Sequence, residues 1–156
     1  MSENLQQLIE EAIKLEFNVS RVYRNFHRMF PQDADFWWRL SLEENNHAAL
    51  LASGKQSFLV AGMFPAELVG NSLEALINAN HELQNILKDV KVASPSRAAA
   101  LNIALKLEES AGEIHFQNAI QQADNPSDAI RLFQTLNKDD KDHADRIRKY
   151  MLQNGI

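Results

Sequence analysis

The sequence predicts an all-α fold of two helical hairpins joined by a long crossover, and three observations carry that prediction. Apolar residues recur at steps of three and four through most of the 156 residues, the period of one buried helix face. Glycine and proline are scarce, at 5 and 4, which favours long helices over a sheet full of turns. The third observation is an internal repeat. Ala12-Ile13-Lys14-Leu15-Glu16 returns as Ala104-Leu105-Lys106-Leu107-Glu108, and Glu44-Asn45-Asn46-His47-Ala48 is echoed by Asp140-Lys141-Asp142-His143-Ala144. Each half is a hairpin with one acid on its first helix and an acid-x-x-His on its second. With no low-complexity segment and no linker, residues 1–156 form one domain with a sizeable core.

The first helix carries Leu5, Leu8, Ile9, Ala12, Leu15, Val19, Tyr23 and Phe26 on one face. It ends at Phe30-Pro31, because proline pushes its predecessor out of helical geometry. A second helix starts at Asp33 or Asp35, either a good cap, and runs through Trp37, Leu40, Ala48 and Leu51 towards Gly54. Residues 55–65 connect, unless Phe58–Ala61 extends the helix. Pro65 fits the first turn of a third helix with Glu67 near its positive end, reaching about Val92. Ser94-Pro95 reads as a cap followed by proline and opens a fourth helix with Leu101, Ala104, Leu105, Ala111 and Phe116. Asn125-Pro126 opens a last helix with Ile130, Phe133, Leu136, Ala144, Ile147 and Met151, and Gly155 lies just past its end.

Composition excludes several classes. The net charge of −5, with no basic cluster, argues against a nucleic-acid partner. The chain has no cysteine, so disulfides, thiolate metal sites and cysteine nucleophiles are excluded. No apolar run approaches the ~18 residues of a membrane span. The Met-Ser-Glu-Asn start has neither the basic residues nor the apolar stretch of a signal peptide, so the expected location is the cytoplasm.

Four acids stand where charges are costly. Glu16 lies among Ile9, Ala12, Val19 and Tyr23, Glu44 among Trp37, Leu40, Ala48 and Leu51. Glu108 has Leu101, Ala104, Ala111 and His115 at helical offsets, and Asp140 has Phe133, Leu136, Ala144 and Ile147. A charge on a core-facing stripe is unfavourable unless paired or bound to a metal. Spacing supplies a common cause. The midpoint of Glu16 and Glu44 is the Phe30-Pro31 turn, and that of Glu108 and Asp140 lies beside Asn125-Pro126. Each antiparallel hairpin therefore brings its acids to one level. The offset of three puts His47 one turn after Glu44, and His143 one turn after Asp140, on the same helix face. Four carboxylates and two imidazoles suit two divalent first-row metals, iron or manganese.

The segments Ala-Ile-Lys-Leu-Glu16 with Tyr23 seven later, Leu-Glu-Glu44-Asn-Asn-His47-Ala and Ala-Leu-Lys-Leu-Glu108, with the long crossover, resemble the ferritin-like superfamily and its rubrerythrin branch. The resemblance covers nearly the whole chain. It implies a four-helix bundle holding two iron ions, manganese being the other candidate. It makes Glu16 and Glu108 terminal carboxylates, Glu44 and Asp140 bridging ones, and His47 and His143 terminal imidazoles. Tyr23 would be the hydrogen-bond donor or electron source beside the metals. The sequence departs from the family in three ways. Asp140 replaces a glutamate and is one methylene shorter. His115 stands where the repeat places a counterpart of Tyr23. The four-cysteine iron module common in rubrerythrins is absent, so an external donor protein would supply electrons.

The expected activity is therefore reaction with hydrogen peroxide or dioxygen, as a peroxidase or ferroxidase. Two readings compete with it: a protein that binds or buffers iron without turnover, and a metal-free helical interaction module. The apolar residues of the 66–92 helix, having no partner in a four-helix core, suggest a homodimer. His27 and His81 lie off the stripes and read as surface. Trp37 and Trp38 read as core or interface, and Glu43, Glu109 and Glu113 as solvated.

Overall fold

The computed structural model describes residues 2–110, 127–136 and 142–156. All regular structure among them is helical: α1 (Ser2–Met29), α2 (Ala34–Gly54), α3 (Leu73–Val92), α4 (Arg97–Glu108), α5 (Asp128–Leu136) and α6 (His143–Gln153). None of these helices is long and apolar enough to cross a membrane. The apolar stripe of α1 is the spine of the core. Leu8, Ile9, Ala12, Leu15, Val19, Tyr23 and Phe26 are all buried, as is Val22 beside them.

Helix α1 runs antiparallel to α2. Ser20 on α1 donates through Oγ to the Ser41 carbonyl on α2 at 2.9 Å, fixing their relative height. Helix α6 lies antiparallel to α2, with Tyr150 stacked on Phe36 at 3.9 Å between ring centroids and Arg146 bonded to Glu43. It is also antiparallel to α4, because Arg97 at the start of α4 bonds Asn154 beyond the end of α6, while Glu109 just past the end of α4 meets Arg148.

The boundaries follow from local chemistry and correct four expectations. Asp33 precedes α2, but its side chain makes no capping bond. The carboxylate, from a residue only 1% exposed, instead accepts a forked pair from Arg97 at 2.7 and 2.6 Å and a bond from the Tyr150 hydroxyl at 2.6 Å. A buried acid finds more stabilisation in a bidentate guanidinium than in a peptide N–H. The third helix does not begin at Pro65. Ala66–Leu68 is one 3-10 turn, Gly70 at φ 72° reverses the chain, and Ser72 caps α3 by accepting from the Ala75 N–H at 3.1 Å. The fourth helix is capped by Ser96, which accepts from the Ala99 N–H at 3.1 Å, and not by Ser94. Proline disfavours helical geometry in the residue before it, so the helix opens two residues later. The described part of α4 stops at Glu108, and Ala111 and Phe116 lie outside the described residues. Past α2, the chain continues as a single π turn over Lys55–Leu59, so helical structure reaches Phe58 and Leu59 while Val60 and Ala61 belong to the connection.

The expected last helix is interrupted. Asp142 has non-helical backbone (φ −38°, ψ 105°), and its side chain caps α6 by accepting from the Asp145 N–H at 3.2 Å. An aspartate that caps the helix it precedes starts a new helix at His143.

Helix α3 lies parallel to α1, and a polar seam sets its register. Asn18 donates to Asn80 at 3.1 Å, Asn80 donates to the Glu11 carbonyl at 3.0 Å and its carboxylate at 2.8 Å, and Gln84 donates to Asn18 at 3.1 Å. Leu76, Leu83, Leu87 and Val90 are buried on that face. The apolar stripe of the crossover helix is thus covered within the same chain, which removes the observation that suggested a homodimer.

Candidate metal centre

Five residues expected from the sequence converge in the core: Glu16 from α1, Glu44 and His47 from α2, Glu108 from α4 and His143 from α6. All are between 0 and 6% exposed. Tyr23, also buried, joins them by donating its hydroxyl proton to Glu108 Oε1. Asp140 and His115 lie outside the described residues. Helix α6 begins at His143, and Asp142 before it has non-helical backbone.

The geometry has two lobes sharing one residue. Glu16, Glu44 and His47 form one group, and Glu44, Glu108 and His143 the other. In each, one potential ligand atom per residue lies within 4.8 Å of the others. His47 Nδ1 is 3.4 Å from Glu16 Oε2 and 3.3 Å from Glu44 Oε2. His143 Nδ1 is 2.6 Å from Glu44 Oε1 and 3.4 Å from Glu108 Oε2. Glu44 therefore turns one oxygen to each histidine. The two imidazoles stand nearly parallel with centroids 5.5 Å apart.

Electrostatics sets these carboxyls apart from surface acids. Burial pushes the Glu16 carboxyl up to about 8, and the charge on Glu44 pushes the same way. The Glu108 carboxyl is raised by burial and then by Glu44. Burial alone would raise Glu44 too, but His143 and then His47 outweigh it and hold Glu44 well below the usual carboxylate range. One ionised acid flanked by two that resist ionisation is how such a cluster tolerates burial without a cation. Even so, Glu16 Oε2 and both oxygens of Glu44 receive no well-aligned hydrogen bond among the described residues. Buried carboxylate oxygens with no aligned donor are costly, and a dication facing both lobes would satisfy them. Oxygen-rich donors with one imidazole per lobe are the chemistry that first-row divalent ions take, so these buried Glu and His groups are able to hold a metal ion.

Some functional neighbours did not show in the sequence reading. Glu43, expected to be solvated, contacts both His143 and Arg146. Its signal was present: Arg146 stands one turn after His143, so a cation shares the histidine's helix face. His27 is half-buried, with Nδ1 2.9 Å from the Ala34 carbonyl and its ring against Trp38. His81 and Glu109 are exposed as expected. Trp37 is fully buried, while Trp38 is half exposed. Glu113 lies outside the described residues. Comparison of the chain with protein-family models, with characterised proteins and with solved structures finds no match in any of the three.

Proposed function

We propose that this chain is a di-metal carboxylate protein of the ferritin-like, rubrerythrin-like kind. In this reading it is a four-helix bundle that holds two iron ions, or manganese, and reacts with hydrogen peroxide or dioxygen. The observation that carries the reading is that Glu44 belongs to both buried ligand groups and presents a separate oxygen to each. A carboxylate that served only as a partner for one histidine would not need a second histidine at its other oxygen.

Each residue then has a role. Glu16 and His47 would hold one ion, Glu108 and His143 the other, and Glu44, which belongs to both groups, would serve both, with Asp140 as the second shared carboxylate expected from the sequence. Iron bound there would supply one-electron redox chemistry towards an oxidant. Tyr23 fixes Glu108 through its hydroxyl and is the hydrogen-bond donor or electron source expected beside the metals. The surrounding core of Ile9, Leu40, Ala48 and Leu101 excludes water. These residues hold no cysteine, so the electrons would reach the site from outside them. The antiparallel pairings of α1 with α2 and of α4 with α6 support the two-hairpin arrangement.

The test is elemental analysis after anaerobic loading with ferrous iron, followed by peroxide consumption against the same concentration of free iron. Close to two ions per chain and faster peroxide loss are expected. Stoichiometric binding with no acceleration would make the protein a metal buffer. No binding would leave a helical interaction module.

A further inference from the structure

Glu43 precedes the bridging Glu44 on α2, and its Oε2 is 2.8 Å from His143 Nε2. The same oxygen accepts from Arg146 Nη1. The ring of His143 is thus held at both nitrogens: Nε2 towards Glu43, Nδ1 towards Glu44 and Glu108. The geometry points to Glu43 as a positioning residue for His143, with Arg146 holding Glu43 in turn. This inference rests on the metal reading above.

Three physical arguments carry it. An imidazole whose Nε2–H is fixed by a carboxylate keeps its lone pair on Nδ1, the atom that faces the ligand cluster. Next, His143 is the first residue of α6, and the preceding Asp142 is non-helical. A ligand on an opening turn is not locked by helix on both sides, so a side-chain tether from α2 is what fixes its ring. Finally, Glu43 would add another negative charge beside Glu44 and Glu108. Arg146, on the same helix as the histidine, neutralises it, so the tether costs the site no additional repulsion. Glu43 is 22% exposed at its side chain and Arg146 25%, so both reach the cluster from its solvent side without entering it.

The experiment uses the full chain with manganous ion, which is stable in air, titrated by calorimetry into wild type, Glu43→Ala and Glu43→Gln. Histidine nitrogen shifts of the zinc-loaded, diamagnetic proteins report the tautomer, because a ligating nitrogen has given up its proton. Wild type is expected to bind two ions, with His143 protonated at Nε2. In Glu43→Ala the ion on the Glu108–His143 side weakens about 10–100-fold, the usual effect of losing such an outer partner. The ion on the Glu16–His47 side keeps its affinity, and His143 becomes a mixture of tautomers. Glu43→Gln, which preserves shape and an acceptor oxygen, falls between the two and guards against a folding artefact. Unchanged affinity at both lobes with an unchanged tautomer, or equal weakening at both lobes, overturns the role of Glu43 and leaves the di-metal reading standing. A wild type that binds no ion overturns both.

Discussion

Replacing Glu44 with glutamine should abolish metal-dependent stabilisation while sparing the metal-free fold. The substitution keeps the shape of a fully buried side chain and removes the charge that both lobes share. An ion that binds only the folded chain stabilises it by RT ln(1 + [L]/Kd), about 4 kcal/mol at a thousandfold excess over Kd. For a chain of this size each kcal/mol moves Tm by about 2–4 °C. One bound ion would therefore raise the wild-type Tm by about 8–16 °C, and a second would add to that. Because Glu44 supplies an oxygen to each lobe, Glu44→Gln should lose nearly the whole increment, whereas Glu16→Gln or Glu108→Gln should lose only one lobe's share. The metal-free Tm of Glu44→Gln should itself fall, because His47 and His143 lose the ionised acid that faces both, so the increment is read within each variant, with metal against without. The assay is thermal unfolding by circular dichroism with and without excess manganous or anaerobic ferrous ion. A variant that kept the wild-type increment would refute the bridging role. A metal-free variant that failed to fold would show Glu44 to be a structural partner of the histidines.

Three further outcomes follow from the packing and the charges. The raised Glu16 carboxyl contributes stability that is complete below its ordinary value of 4.5 and is lost as pH rises through about 8. The metal-free protein should therefore lose Tm over that window, Glu16→Gln should flatten the loss, and metal affinity should climb over the same range as the competing proton leaves; a flat wild-type profile would contradict the shift. Gly54→Ala puts a Cβ 2.8 Å from the Phe133 ring and 3.2 Å from that of Phe64. Overpacking of about 1–3 kcal/mol against a helix-propensity gain of about 1 kcal/mol leaves a modest net loss, seen as a lower denaturant midpoint with unchanged metal content. Asn80→Leu removes the buried amide that α3 shares with Glu11 and Asn18 and leaves Asn18 short of a partner. It should cost about 1–3 kcal/mol and speed hydrogen exchange along α3 before the rest of the core; equal exchange everywhere would argue against the seam as the anchor of that helix.

The sequence by itself determined the helices and the residues that gather in the core. Periodicity is a local property of the chain, so the stripe of α1 and the inward position of Glu16, Glu44 and Glu108 were legible from spacing alone. The Phe30-Pro31 turn, midway between Glu16 and Glu44, was enough to set those acids level. Only the tertiary structure decided what competing partners do. Asp33 reads as a cap until Arg97 and Tyr150, 64 and 117 positions away, are brought to it. Asp142 reads as part of an acid-x-x-His helix until its own carboxylate caps a helix that begins at His143. Glu43 reads as solvated because its partners, His143 and Arg146, lie on another helix. The apolar face of α3 reads as unpartnered because nothing local says that Asn80 will meet Asn18 and lay it along α1. Helix faces follow from steps of three and four along one chain. Side-chain pairings across helices depend on register, and register is set by contacts between residues far apart in sequence.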